Sequence, residues 1–178
     1  KFIGLCLDSV LRQSYADIGI ILVDDCSNDY TAEIALERLK DRDAIVIRNT
    51  ERKWALKNVD IAIENNMSND EQVVFLLDGD DELLSSNAIQ KMMDKHKDYD
   101  IVWSNYQQSD GKGSCSGPLE TKPVRLAKWC MSHLKSFKRG LFLAIDKKEF
   151  LDEHGKYLKV TWDQAIMLPM AENINRDK

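Results

Sequence analysis

Three acidic residues, Asp78, Asp80 and Asp81, are the first candidates for chemistry because only Gly79 separates them. They follow an apolar run at residues 73–77 that is typical of a buried strand. Carboxylates packed this closely repel one another and resist the loss of water, so they need a cation or an exposed position. Hard oxygen ligands suit Mg²⁺ or Mn²⁺, especially where a phosphate completes the coordination shell. A solvated acidic turn without a ligand is the alternative.

A second acidic pair, Asp24 and Asp25, ends another apolar run at residues 18–23. Consecutive parallel strands finish on the same side, so we expect both acidic ends at one edge of one sheet, where α/β folds bind ligands. Such a cleft would suit a nucleoside diphosphate, with some carboxylates on the ribose or base and others holding a metal on the phosphates. The alternative is turn and cap chemistry, which we prefer for Asp29 because a helical pattern follows it.

The elements that position these residues alternate between helical and strand patterns. Helical spacing of apolar residues occurs at residues 2–11, 32–39, 56–63 and 88–96. Short apolar or β-branched runs predict strands at residues 18–23, 44–47, 73–77 and 101–106. This alternation predicts the α/β class, with a mostly parallel sheet whose strands are joined and flanked by helices.

The amino-acid composition argues against several classes of function. The 178 residues are 43% hydrophobic and 31% charged, as in a folded globular domain. A net charge of −5 and the lack of a basic stripe argue against a nucleic-acid partner. No apolar stretch has membrane-spanning length, and the cysteines have no metal-ligand or disulfide spacing. We therefore expect reduced thiols and a cytoplasmic location, with any peripheral contact to the cytoplasmic face of a membrane made through other regions.

Five segments resemble, in order, motifs of family 2 glycosyltransferases. They are the opening helix at residues 6–15, the DDxSxDxT-like segment at residues 24–31, the DxD motif in its DGDD form at residues 78–81, the HLKxFRxxLF-like segment at residues 132–142, and a late acidic motif at residues 161–165. Each motif alone is weak. Five in the right order, covering almost the whole chain, make a specific resemblance.

The resemblance implies a GT-A fold, a nucleotide-sugar donor, a divalent Mn²⁺ or Mg²⁺ cofactor and inversion at the anomeric carbon. It maps the metal contact to Asp80, and the contact to the ribose or the metal shell to Asp78. Asp25, with Asp24 as its companion, maps to the pair that holds the nucleoside. Asp163 maps to the general base that deprotonates the acceptor.

Other positions carry weaker assignments. Lys57 falls in the donor-binding stretch, although this stretch differs from the family's commoner glycine-rich, Ala-Arg-Asn form. His133, Lys138 and Arg139 are candidates for contacts with the diphosphate or the acceptor, and Trp162 for an apolar wall beside a sugar ring. The alternatives are a structural histidine beside a solvated basic turn, and core packing of the tryptophan.

The expected organisation is a single GT-A domain over residues 1–178, without the family's first strand and without a C-terminal extension. The expected enzyme is a hexosyl- or N-acetylhexosaminyl-transferase of polysaccharide biosynthesis. Its donor would be a UDP-sugar, and its acceptor a hydroxyl group on a carbohydrate, a lipid-linked molecule or a protein.

Three other functions share part of this pattern. A sugar-phosphate nucleotidyltransferase would need a glycine-rich basic phosphate loop, which the chain does not show. A catalytically inactive GT-A binding domain remains open, although Asp80 and Asp163 favour an enzyme. A calcium module of EF-hand type is set aside because Leu83 and Ile89 stand where that loop needs glycine and glutamate.

Overall fold

A computed structural model describes residues 2–112, 116–120 and 123–174 and confirms the α/β class. The helices are α1 (Phe2–Leu11), α2 (Thr31–Leu39), α3 (Ala55–Asn66), α4 (Ala88–Lys95), α5 (Arg139–Leu143) and α6 (Trp162–Asn173). The strands are β1 (Ile20–Asp24), β2 (Ala44–Arg48), β3 (Val73–Leu76), β4 (Ile101–Trp103) and β5 (Lys135–Lys138). Two 3₁₀ turns cover Val124–Leu126 and Lys147–Phe150. None of the helices described combines the length and the apolar character needed to span a bilayer.

The described chain divides into two compact units. The first contains residues 2–67 and Asp78–Asp94, and the second contains Ser68–Leu77 and the described residues from position 95 onward. The helices and strands predicted from spacing as far as α4 all occur, with small shifts at their ends. The last predicted strand is shorter than expected, ending at Trp103 rather than Tyr106.

The first unit is built on a parallel pair of strands. β1 and β2 pair in register from Ile20 opposite Ala44 to Asp24 opposite Arg48. The apolar faces of α1, α2 and α3 supply the buried side chains, because their residues recur at helical spacing. These buried residues are Ile3, Cys6 and Leu7, Ala32, Ala35 and Leu39, and Leu56, Ala62 and Ile63.

Helix α1 also holds the segment that follows the acidic turn. The hydroxyl of the fully buried Ser9 accepts a hydrogen bond from the Leu83 amide at 2.9 Å and donates one to the Cys6 carbonyl at 2.7 Å. The Arg12 guanidinium donates to the Leu83 carbonyl at 2.8 Å, and the Gln13 amide to the Ser85 carbonyl at 2.8 Å. The buried Ser9 on α1, with Arg12 and Gln13 just after the helix, thereby fixes the backbone that leads out of the acidic turn.

The second unit is built on an antiparallel sheet that the sequence patterns did not predict. β5 lies between β3 and β4 and pairs antiparallel with both. Phe137 on β5 stacks on Phe142 of α5 at 5.9 Å between ring centroids, and Phe142 packs against Phe150 at 5.6 Å. All three rings are fully buried.

One expectation about the sheet is wrong. β1 and β3, the strands that end in acidic residues, were expected in one parallel sheet. Among the described strands, β1 pairs with β2, whereas β3 pairs with β5. The physical reason is that periodicity within a strand indicates which side chains are buried but carries no information about which strand will pair with it.

Ser9→Ala tests the contact between α1 and the backbone after the acidic turn. We expect the substitution to lower the free energy of unfolding by about 1–3 kcal/mol, because the buried Leu83 amide loses its acceptor. Urea unfolding measures the change, with Ser86→Ala, at an exposed position in the same segment, as the control. Equal stability of the two variants would show that the Ser9 hydroxyl does not hold the segment.

Candidate functional site

The acidic turn brings Asp81 beside Asp78. The Asp81 amide donates to the Asp78 carbonyl at 3.0 Å, and carboxylate oxygens of the two residues lie within 4.8 Å of each other. Both side chains are partly buried, whereas Asp80 is exposed. The sequence analysis placed Asp81 in the acidic cluster but assigned specific roles only to Asp78 and Asp80. The signal that could have found Asp81 is the tight turn, since an i to i+3 hydrogen bond folds the first acid back towards the fourth residue.

The buried Cys6 thiol on α1 lies under this turn and donates to the Asp78 carbonyl at 3.6 Å. Burial and the charges of Asp81, Asp78 and Asp80 together raise the pKa of Cys6 to about 11. The thiol therefore stays protonated at neutral pH and offers no thiolate to a soft metal. The anionic donors of the turn are carboxylate oxygens, a set that fits Mg²⁺ or Mn²⁺.

Asp25 is the anchor of the loop before α3. One carboxylate oxygen accepts from the Asn49 side chain at 2.9 Å and from the Lys53 amide at 2.8 Å, and the other accepts from the Trp54 amide at 2.9 Å. Burial acts to raise the pKa of Asp25, but the hydrogen bonds from Asn58, Lys53, Asn49 and Trp54 outweigh it and lower the pKa. The carboxylate is therefore ionised and closely tied to residues 49–58.

Asp24 and Asp29 have structural partners. Asp24 is 2% exposed, accepts from the Ser27 amide at 3.1 Å and lies 3.7 Å from the Arg48 guanidinium. Its second oxygen is buried without a hydrogen bond in the described part of the chain. Asp29 accepts from the Thr31 amide at 3.0 Å just before α2, which agrees with the turn interpretation of this residue. It is not the N-cap, because Tyr30 holds that position.

Lys57 lies in the first turn of α3 and is partly buried. It follows Trp54, the residue that immediately precedes the helix, by three residues. Asp24, Asp25, Lys57, Asp78 and Asp80 thus all belong to the first unit.

In the second unit, Asp163 and Trp162 open α6. The carboxylate of Asp163 is partly buried and accepts from the Gln164 amide at 2.9 Å. Thr161, immediately before the helix, adopts the left-handed conformation with φ 54°. The start of α6 is therefore a defined turn, with the two candidate residues in its first positions.

Lys135 is a polar residue of this unit that sequence reasoning missed. It lies on β5 and is 1% exposed, and its ammonium lies 5.2 Å from the centre of the Trp162 ring. Within residues 2–112, 116–120 and 123–174, no carboxylate forms an ion pair with it. A buried ammonium without a carboxylate partner is costly, so the cation–π contact only partly offsets its desolvation.

Lys138 and Arg139 lie at the other end of β5, beside the beginning of β3. Lys138 forms ion pairs with Asp100 at 3.0 Å and with Glu71 at 3.1 Å, and the resulting hydrogen bonds raise the pKa of Lys138. Arg139 is 9% exposed and is paired with Asp70. Both basic groups are engaged by acids of the same unit.

His133 lies just before β5 and is partly buried. Its ring meets Tyr106 edge-on at 5.7 Å between centroids, and its carbonyl accepts from the Ser104 hydroxyl at 3.0 Å. His133, Lys138, Arg139, Trp162 and Asp163 all belong to the second unit.

One family model matches most of the chain, and one curated protein is similar over part of it. The model of Glycosyl transferase family 2 matches residues 1–153 of the chain. Glycosyltransferase GlyG of Streptococcus pneumoniae serotype 4 is 29% identical over 119 residues, which cover 62% of this chain and 38% of GlyG.

The chain is also similar in fold to the S. aureus protein TarS. The crystal structure of TarS 1–349 superposes with a TM-score of 0.74 at 18% identity, covering 96% of this chain and 51% of that one. The crystal structure of TarS 1–349 in complex with UDP superposes with a TM-score of 0.71 at 18% identity, covering 92% of this chain and 49% of that one. The chain thus spans about half of these structures and less of GlyG.

Lys135→Met tests whether the buried ammonium serves stability. We expect the free energy of unfolding to stay equal or to rise by up to about 4 kcal/mol, because methionine keeps most of the stem and removes a poorly compensated charge. Thermal or urea unfolding measures this free energy. The exposed Lys148→Met is the control, and its free energy of unfolding should stay within about 0.5 kcal/mol of the parent. A loss of several kcal/mol in Lys135→Met alone would instead indicate a broken buried pair.

Proposed function

The chain belongs to glycosyl transferase family 2, and from this premise we propose that it transfers a sugar from a nucleoside-diphosphate donor to a hydroxyl acceptor, with inversion and with a divalent metal. The observation that carries the proposal is the acidic turn, where Asp78 and Asp81 present hard oxygen ligands above a thiol that stays protonated. A donor with a diphosphate is the natural complement of a metal on such ligands.

Inversion requires one in-line displacement, in which the acceptor oxygen attacks the anomeric carbon as the nucleoside diphosphate leaves. The attacking hydroxyl must lose its proton as the new bond forms. We assign that proton to the carboxylate of Asp163, because a positioned carboxylate can act as a general base. The partly buried side chain at the first turn of α6 is consistent with a fixed rather than a mobile base.

The metal would be held by the Asp78 and Asp81 carboxylates, whose oxygens lie within 4.8 Å of each other. Asp80 lies outside that close group, and we keep it as a further proposed ligand. When bound, Mn²⁺ or Mg²⁺ neutralises the charge that develops on the leaving diphosphate. Asp80 is the exposed member of the turn, open to a ligand from solvent. The proximity of Asp81 to Asp78 supports Asp81 as a further ligand.

The nucleoside end of the donor is assigned to the surroundings of Asp25 and Lys57. Asp25 is ionised and fixes the loop before α3, while Lys57 follows in the first turn of that helix. The buried position of Asp24 supports an indirect role in which it holds the turn after β1.

The residues near β5 receive different proposed roles. Trp162, in contact with the Lys135 ammonium, is proposed to border the sugar or acceptor beside Asp163. His133 stays a proposed diphosphate or acceptor contact. Lys138 and Arg139 are each paired with acids, which favours support of the sheet edge over ligand binding for these two.

The finer identity of the reaction rests on the relatives. A TarS structure contains UDP, which favours a UDP-sugar here, of the hexose or N-acetylhexosamine kind. We propose a polysaccharide, lipid-linked or protein acceptor, and action at the cytoplasmic side of a membrane. A binding domain without turnover is the second candidate, and release of nucleoside diphosphate from donor separates the two.

Asp163→Asn should suppress turnover by about 10²–10⁴-fold and leave donor binding within about twofold, because the amide keeps the shape and loses the basicity. Turnover is measured as nucleoside-diphosphate release with Mn²⁺ and binding by calorimetry. Glu172→Gln, on the same helix but paired with Arg125, is the control and should retain turnover. Normal turnover in Asp163→Asn would remove the general-base assignment.

Asp80→Asn and Asp81→Asn should each weaken UDP binding in the presence of Mn²⁺ by about tenfold or more, since each removes one anionic ligand. In EDTA, the variants and the parent should bind UDP alike. Glu82→Gln, exposed in the same segment, is the matched control and should keep the Mn²⁺ effect. If Asp81→Asn also keeps it, Asp81 is not a ligand; if both aspartate variants keep it, the metal site lies elsewhere.

A further inference from the structure

Trp54 has a backbone conformation that side chains rarely adopt. Its φ of 70° and ψ of 159° lie in a region populated almost only by glycine. For a bulky residue this geometry is a genuine outlier and costs conformational free energy. Such a conformation persists only where the surroundings determine it more strongly than the residue itself does.

Asp25 and α3 impose that conformation. The Asp25 carboxylate accepts the amides of Lys53 and Trp54 at 2.8 and 2.9 Å, while the Trp54 carbonyl accepts the Asn58 amide at 3.1 Å. The Asn49 side chain bridges the Asp25 carboxylate and the Asn58 side chain at 2.9 and 2.8 Å. Both peptide groups of Trp54 are therefore fixed by partners that are themselves connected.

The strained conformation is not used to bury the indole. Trp54 is 37% exposed, and the Arg52 guanidinium lies 5.5 Å from its ring centre. A tryptophan required for core packing would be covered, and a turn required only for chain reversal would carry glycine. What this arrangement provides is a partly exposed aromatic ring with the Arg52 guanidinium over it, on a backbone that Asp25 and α3 hold in place.

We infer that Trp54 is the surface on which the nucleobase of the donor stacks, and that Asp25 is a positioning residue that acts through Trp54. The inference deepens the proposed function and rests on it. The Asp25 carboxylate already accepts three hydrogen bonds, from the Asn49 side chain and from the Lys53 and Trp54 amides. Direct hydrogen bonding of Asp25 to the nucleoside would compete with these donors for the carboxylate, whereas stacking on Trp54 leaves all three in place.

The indole suits a nucleobase because stacking needs only two flat π surfaces and tolerates different bases. A pyranose ring of the donor can also lie on an aromatic side chain, so the probes must separate the base from the rest of the donor. UDP carries the base and the diphosphate without the sugar, and pyrophosphate carries neither the base nor the sugar.

The central test compares Trp54→Phe with Trp54→Leu. Both residues must accept the same positive φ, so the backbone cost is matched and only the aromatic face differs. We expect UDP affinity within about threefold of the parent for Trp54→Phe and about 10- to 100-fold weaker for Trp54→Leu. Pyrophosphate affinity in Mn²⁺ should be unchanged in both variants. Calorimetry measures each affinity, and a thermal scan confirms folding.

A double-mutant cycle tests the positioning role of Asp25. Trp54→Gly removes the stacking surface and relieves the backbone, so it should weaken UDP binding without lowering the unfolding midpoint. Asp25→Asn should weaken UDP binding about tenfold in the parent but less than about twofold in the Trp54→Gly background, because its effect passes through the indole. Equal effects in both backgrounds would show that Asp25 contacts the nucleoside directly.

The outcomes separate this inference from the proposed function. If the unchanged chain binds neither UDP nor another nucleoside diphosphate in Mn²⁺, the proposed function fails and the inference with it. If the unchanged chain binds UDP and Trp54→Leu binds it equally well, the inference alone is overturned. Loss of pyrophosphate binding in Trp54→Leu would also overturn it, because the indole would then act on the diphosphate or the metal.

Discussion

Repulsion among the carboxylates of residues 78–81 is the constraint on which the site depends. The chain accommodates it by exposing Asp80 and by fixing the backbone that follows the turn through the Ser9 hydroxyl on α1 and the Arg12 guanidinium just after α1. The negative charges of the same carboxylates act on the Cys6 thiol beneath the turn, and together with burial they keep the thiol protonated. The result is a set of oxygen donors whose charge a hard divalent cation would neutralise.

Asp25 stabilises its negative charge in the opposite way. Its carboxylate accepts hydrogen bonds from amide groups of the protein, and these bonds outweigh the effect of burial and lower the pKa of Asp25. These bonds stabilise the conformation of Trp54 that the residue itself disfavours. One acidic motif therefore supplies charge for a ligand, whereas the other uses its charge to shape a loop.

Local sequence patterns predicted α1 to α4 and β1 to β4, because each depends on periodicity within a single segment. They did not predict β5, whose Lys135 and Ser136 are polar and yet buried between neighbouring strands.

The sequence analysis also grouped Lys138 and Arg139 with His133, since these residues are close in sequence. In an extended strand, three residues span about 10 Å, so Lys135 and Lys138 lie at opposite ends of the ladder with β3. His133 lies just before the Lys135 end, whereas Lys138 and Arg139 lie at the other end. Asp81 received no specific role for a similar reason, because the turn, and not the sequence pattern, brings it to Asp78.

A thermal-unfolding panel of nucleotide sugars, each with Mn²⁺ and with EDTA, tests most directly whether the acidic turn binds a donor through a metal. At donor concentrations near 100 times the dissociation constant, binding adds about 2.7 kcal/mol, which corresponds to roughly 5–10 °C for a chain of this size. The account predicts a rise of this order for a UDP-sugar with Mn²⁺ and little or none in EDTA. A rise that is equal in EDTA, or no rise with any nucleotide sugar, would contradict it.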